Sequence, residues 1–355
     1  MIPHSRPTVG DKDADAVVAV LRSGQVAQGP RVEAFEHGLA AFVGRRGGVA
    51  VSSGTAALEL ALRCLGVGAG DEVLLPSYVC MAPWLATMRV GAQARLVDID
   101  PCDYALDPLE AAKALSRRTR AIIVPHLFGL PADLTGLQER GVPLIEDCAQ
   151  TLGATETGRA VGSVGAISIC SFYATKLLCT GEGGMLLADD PALLDKARGL
   201  REYDERVVLQ PAAFNYKMTD LHAALGLQQL STIHSLLERR AAIAARYQAA
   251  LAGTGLLLPE VPKGRTHIYY RYVVRLDPVR HTKVSLDRLL EGLERRGVQC
   301  RRPVFRPLHR YLGIEGFPRT EEVMATAFSL PIYPSLTDAE AEQVIHAVRA
   351  EMEAL

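Results

Sequence analysis

Three places in this sequence combine residue types and spacing that could do chemistry. Lys176 stands in Ser171-Phe172-Tyr173-Ala174-Thr175-Lys176, with Gly181, Gly183 and Gly184 following. Among small and apolar neighbours an ammonium loses hydration, and the neutral amine this favours can form a carbon–nitrogen double bond with a carbonyl compound. A merely solvated lysine is the alternative. Asp147 closes the apolar run Leu144-Ile145-Glu146-Asp147 and leads into Cys148-Ala149-Gln150. In a doubly wound sheet ligands bind beyond the carboxyl ends of the strands, and a carboxylate buried there needs a cationic partner; alone, it could equally cap the next helix. The third place is Ser52-Ser53-Gly54-Thr55-Ala56-Ala57-Leu58, between an apolar run and the helical pattern LELALRCLG. The free N–H groups and dipole of a helix start suit a phosphate, although a short pattern of this kind is more often an ordinary cap. Together, a phosphate cradle, an acid at a strand end and a lysine after a serine form the inventory that pyridoxal phosphate requires.

These residues need a scaffold, and the sequence outlines one. Apolar runs at 73–75, 95–99, 121–125 and 144–146 read as buried strands, separated by helical patterns such as 108–115 and 133–140. That alternation predicts an α/β fold with a mostly parallel sheet covered on both faces. From 167 to 189 two closely spaced strand-like pieces read as a hairpin-like appendage to the sheet. Residues 219–251 carry a helical pattern long enough for one or two packed helices. A strand over 269–276, a helix over 286–295 and a last helix follow. The last is announced by Thr337-Asp338-Ala339-Glu340, in which threonine and glutamate satisfy free N–H groups reciprocally. The expected division is a large domain over 1–234 and a small α+β domain over 235–355, with the first ~20 residues set against the small one.

Composition narrows the function further. The 355 residues are 48% hydrophobic and 22% charged, within the ordinary globular range. Thirty-nine basic residues against 40 acidic ones give a net charge of -1, which argues against a nucleic-acid partner. The first residues, MIPHSRPTVGDKD, contain no apolar run, and the uncharged stretch 73–88 is broken by Pro76 and Pro83, short of the ~18 apolar residues of a membrane span. A cytoplasmic protein with no membrane partner is expected. Seven cysteines without a C-x-x-C pair indicate neither a disulfide framework nor a metal site. The run Gly66-Val67-Gly68-Ala69-Gly70 precedes a strand rather than a helix, the reverse of a dinucleotide fingerprint, so a nicotinamide dehydrogenase is set aside.

Across nearly its whole length the chain resembles the DegT/StrS family of pyridoxal-phosphate-dependent sugar aminotransferases. The likeness rests on SSGTAAL, GAGDEVLLPS, PHLFG, EDCAQ, SFYATKLLCTGEGG, FNYKMTDLHAALGLQQL and SLPIYPSLT. It implies a fold-type I aminotransferase, a large domain with a mixed, mostly parallel sheet plus a small C-terminal α+β domain, working as a homodimer with shared active sites. By the resemblance Lys176 holds pyridoxal 5'-phosphate covalently and moves the proton, and Asp147 pairs with the ring nitrogen. Gln150 lies beside the ring hydroxyl, while Gly54 and Thr55 with Ser171 form the phosphate cup. Trp84, the only tryptophan, stacks on the ring, and Asn215 reaches the phosphate from the neighbouring subunit. His309 and Arg306, in RRPVFRPLHR, are the candidate substrate contacts; Phe305 stands where the family often has tyrosine, and His126 is read as structural. The implied reaction moves an amino group from glutamate to a keto group of a nucleotide-linked deoxysugar. A cyclitol or aminoshikimate-type acceptor is an alternative, as is a cofactor-binding regulatory protein without turnover. The second would be marked by loss of Lys176 or Asp147, and both are present. Lys176 also disfavours the 3-dehydrases of the family, which replace that lysine.

Overall fold

Strands that are apolar on both sides can survive only inside a covered sheet. In the computed structural model, which describes residues 1–203, 211–281 and 284–354, they do. The strands are β1 (Gly47–Val51), β2 (Glu72–Pro76), β3 (Gln93–Val97), β4 (Thr119–Pro125), β5 (Leu144–Asp147), the short ribbon β6 (Thr155–Glu156) and β7 (Arg159–Ala160), β8 (Ile167–Ser171), β9 (Gly184–Ala188), β10 (Leu256–Leu257), β11 (Tyr272–Leu276) and β12 (Ala327–Leu330). Seven form the main sheet in the order β1-β9-β8-β5-β4-β2-β3. The β2–β3, β2–β4, β4–β5 and β5–β8 pairs are parallel, and β9 runs antiparallel to both β8 and β1. The mixed, mostly parallel α/β sheet is as expected.

The 167–189 segment differs from its reading as an appendage. Each residue of β9, and all of β8 except the half-buried Ser171, is buried, because these strands lie between β1 and β5 rather than beyond the sheet edge. The helical pattern after 219 resolves into two helices, Asp220–Ser231 and Ile233–Leu251, parted at Thr232, which caps the first and precedes the second.

The strands β10, β11 and β12 form a second, antiparallel sheet. Its core joins Tyr247, Tyr272, Val274, Leu289, Leu293, Phe328 and Val344, contributed by the sheet and by helices Ile233–Leu251, Leu286–Arg295 and Asp338–Glu353. Thr337 and Glu340 cap the last of these as their spacing predicts. Ile2 joins this core and pairs with Val298, but helix Asp11–Ser23 packs on Asp220–Ser231. Only the first few residues, then, lie against the smaller sheet. The strand expected from 269 begins at Tyr272. Ahead of it, the N–H groups of Ile268 and Arg271 donate to Gly129 and Phe128 at 2.9 and 3.0 Å, which ties that backbone to a loop of the larger unit. Residues 234 and 235 fall in the first turn of helix Ile233–Leu251. Among the described residues no helix is long and apolar enough to cross a membrane.

Candidate active site

The carboxyl ends of β4, β5 and β8 and the start of helix Gly54–Cys64 surround a cavity of about 240 Å³. Gly54, Thr55, Asp147, Gln150, Ser171 and Lys176 all line it. At the helix start, the Ser53 hydroxyl accepts the Ala56 N–H at 3.1 Å and its carbonyl the Ala57 N–H at 3.0 Å. The N–H groups of Gly54 and Thr55, at the start of the helix where no intrahelical acceptor exists, have no hydrogen-bond acceptor among the described residues and can serve a ligand. The turn is pressed closely by the strands: a Cβ on Gly54 would stand 2.7 Å from the Ser171 Cβ, and one on Gly184 2.4 Å from the Ser53 carbonyl carbon. A backbone cradle with a serine hydroxyl beside it fits a phosphate.

Asp147 ends β5 and is buried. Burial pushes its carboxyl upward, against the Ala149 N–H and the Lys176 charge. The Ala149 N–H, at 3.0 Å, is its one hydrogen-bond donor among the described residues. A buried carboxylate with an open oxygen on a cavity is suited to a cationic ring nitrogen. The Gln150 side-chain oxygen accepts the Phe128 N–H at 3.1 Å, so its amide NH2 is left as the donor on the cavity side. Phe128 makes that bond from a left-handed conformation, φ 58°, a cost that bulky residues seldom bear.

Behind Asp147, the His126 Nδ1 accepts the Ala132 N–H at 2.9 Å, which fixes the ring proton on Nε2, donated to Glu146 at 3.1 Å. Glu146 also accepts the N–H groups of Gly162, Val164 and Gly165 at 2.6–2.8 Å. Against burial, which would raise it, these donors hold its carboxyl down at about 2. His126 thus lines the cavity with both ring nitrogens engaged.

The other expected residues lie elsewhere. Trp84 does not line the cavity: it sits in the first turn of helix Ala82–Arg89, half-buried against the core of the main sheet. Cys80 and Ala82 of the same segment face the cavity instead. Asn215 is exposed, its side chain accepting the Lys217 N–H, and it does not enter the cavity of its own chain. His309 does not line this cavity and is buried. Its Nδ1 meets the Ser77 hydroxyl at 2.6 Å, its Nε2 meets Glu321 at 2.6 Å, and Phe317 stacks on its ring. Arg306 is exposed, donates to the Arg310 carbonyl and lies over Tyr311, while the Phe305 side chain is 87% exposed. Sequence reading missed Ser53, Cys80, Tyr173 and Glu182 as lining residues. Ser53 and Tyr173 lay within motifs already singled out; Cys80 carried no signal of its own.

The sequence profile of one family, the DegT/DnrJ/EryC1/StrS aminotransferase family, matches residues 7–349. The chain belongs to this family. Among its relatives is the dTDP-3-amino-3,4,6-trideoxy-alpha-D-glucose transaminase of Streptomyces venezuelae, 37% identical, with 95% of this chain and 91% of that one covered. Another is the spore coat polysaccharide biosynthesis protein SpsC of Bacillus subtilis (strain 168), 35% identical over 98% of this chain and 96% of the other. Among solved structures, S. venezuelae DesV in complex with a ketimine intermediate superposes with a TM-score of 0.90 at 35% identity, covering 97% of this chain and 95% of that one. This member of the family is a transaminase with the aminotransferase fold that the motifs implied.

Proposed function

We propose that the protein transfers an amino group, by way of pyridoxal 5'-phosphate, from glutamate to a keto group of a nucleotide-linked deoxysugar. One observation carries the cofactor reading: Lys176, Asp147 and the helix-start residues Gly54 and Thr55 line a single cavity. The donor set fits the group. Gly54, Thr55 and Ser171 would hold the phosphate, Gln150 the ring hydroxyl and Asp147 the ring nitrogen, with Lys176 opposite the aldehyde. When bound, the cofactor supplies an electron sink for the carbon that loses its proton. Of this chain's own groups, Asp147 keeps the ring nitrogen protonated by offering a buried negative charge, and Lys176, as the neutral amine, takes the proton from the carbon that loses it and delivers it to the carbon that gains one. The sugar reading is supported by membership of the family and by the named activity of the S. venezuelae relative.

The active assembly in this reading is a homodimer in which Asn215 reaches the phosphate site of the partner subunit, which accords with its exposure and with its lying outside the lining of its own chain's cavity. The cytosol is the proposed compartment, supported by cysteines that are all unpaired. Borohydride, which turns a carbon–nitrogen double bond into a stable amine, should fix the cofactor on Lys176. Peptide mass mapping that finds the label on another lysine would remove Lys176 from this role. A scan of nucleotide-linked ketosugars against the pyridoxamine-loaded enzyme, read by the cofactor spectrum, tests the acceptor.

A further inference from the structure

The seven cysteines are all free, and five of them are buried; the two exposed ones are Cys80 and Cys102. Cys102 belongs to a different cavity, beside Pro101 and Tyr104. Cys80 stands just ahead of helix Ala82–Arg89 and lines the same cavity as Lys176 and Asp147. The charges of both those groups act on its sulfur, in opposite senses. The thiol therefore borders the space between the proposed holders of the two ends of the cofactor ring. A second observation marks that space as a place for a ligand. Asp147 is only 8% exposed and lines the cavity, and among the described residues its one hydrogen bond, from the Ala149 N–H, reaches a single carboxylate oxygen. The other oxygen is left open, which is uncommon for a polar group so deeply set. Protein also packs around the sulfur on its remaining sides. Burial raises the Cys80 thiol, joined by the Asp147 charge, against the Ala82 N–H and the Lys176 charge.

We propose that Cys80 is a thiol modification site set inside the cofactor cavity, where a small disulfide forms a covalent adduct that excludes pyridoxal phosphate and is excluded by it. The exclusion rests on the proposed cofactor reading; the accessibility of the thiol does not. In the step, the Cys80 sulfur attacks one sulfur of the disulfide, the S–S bond breaks and a mixed disulfide forms. The other half leaves as a thiol, taking up the proton that Cys80 gives up. The disulfide is the only oxidant, and an excess of free thiol reverses the step. A substituent on this sulfur shares a space of about 240 Å³ that the cofactor also needs. A loaded chain is thus shielded, while a chain that has not yet taken up its cofactor is open to reversible blockage. Because the thiolate is the reacting form and burial disfavours it, the adduct forms slowly at neutral pH and faster as the pH rises.

The test treats the full-length native chain with dithiobis(nitrobenzoate), an aromatic disulfide whose released half absorbs visible light. Without cofactor two thiols should react, Cys80 and Cys102, and the rate at Cys80 should climb with pH. With pyridoxal phosphate bound, Cys102 alone should react. Peptide mass mapping assigns each adduct. The modified wild-type chain should lose roughly ten-fold or more in affinity for pyridoxal phosphate by equilibrium dialysis, and dithiothreitol should restore it. Treated Cys80→Ser, which carries the adduct on Cys102 only, should bind the cofactor as its untreated form does. A Cys80 that resists the reagent in the cofactor-free chain, reacts equally fast in the loaded one, or carries the adduct with cofactor affinity undiminished overturns the proposal. Borohydride labelling of Lys176 in the unmodified protein reports separately on the cofactor reading, so its failure is distinguishable from a failure of the exclusion.

Discussion

Asp147 is held where its own charge is disfavoured, and that tension is its use: a buried carboxylate gains most from a partner that arrives positively charged. Asp147→Asn keeps the shape and removes the charge. If the lost pairing costs about 3–5 kcal/mol and falls mainly on the transition state, kcat should drop roughly 10²- to 10⁴-fold, while borohydride still labels Lys176. An unchanged kcat would take Asp147 out of the mechanism. Lys176 and Asp147 were legible as residues of one cavity because each lies in a short local pattern, and the patterns taken together matched the needs of one cofactor. The setting of His309 was hidden for the opposite reason. Its surroundings in sequence are basic and look solvent-facing, yet Ser77 and Glu321, brought from other elements, occupy both its nitrogens.

At the scale of elements, the cradle is shaped by a backbone-to-backbone approach. Gly184 begins β9, pairs with Val51 and lies against the Ser53–Gly54 turn. A methyl group there would meet main chain, which cannot swing aside as a side chain can. Gly184→Ala should therefore displace the turn at a cost of about 1–3 kcal/mol, weakening cofactor affinity by roughly 5- to 100-fold. Equilibrium dialysis with pyridoxal phosphate measures this, and unchanged affinity would mean that the turn does not hold the phosphate. The strands flanking this site were readable from their apolar runs. Their order was not: nothing in residues 167–189 tells that β8 and β9 lie inside the sheet rather than on its edge, since an apolar strand looks alike in both places. The late start of β11 was equally hidden, because it follows from hydrogen bonds to a loop far away in the chain.

For the whole molecule, the proposed dimer makes a prediction that no single chain can satisfy. Lys176→Ala and Asn215→Ala should each impair the enzyme. Unfolded and refolded together, they should form mixed dimers in which one site lacks both groups and the other is intact. With random pairing about half the dimers are mixed, so up to roughly a quarter of wild-type activity should return. Mixed dimers shown by native mass spectrometry but without recovered activity would refute the reading that Asn215 serves the partner. The helix Ile233–Leu251 carries a different consequence. Its Ile233 and Leu236 are packed in a cluster with Phe35 and Phe172, and its Ile243, Ala244, Tyr247 and Leu251 in the cluster of the smaller sheet. One helix thus belongs to two cores, and the halves of this protein are not interchangeable cassettes. A chimera joined to a relative at 234/235 would inherit one end of the helix fitted to each parent. Grafts that respect the fold must carry this helix together with the surfaces at both of its ends, so substrate preferences are to be exchanged between relatives by loops rather than by halves.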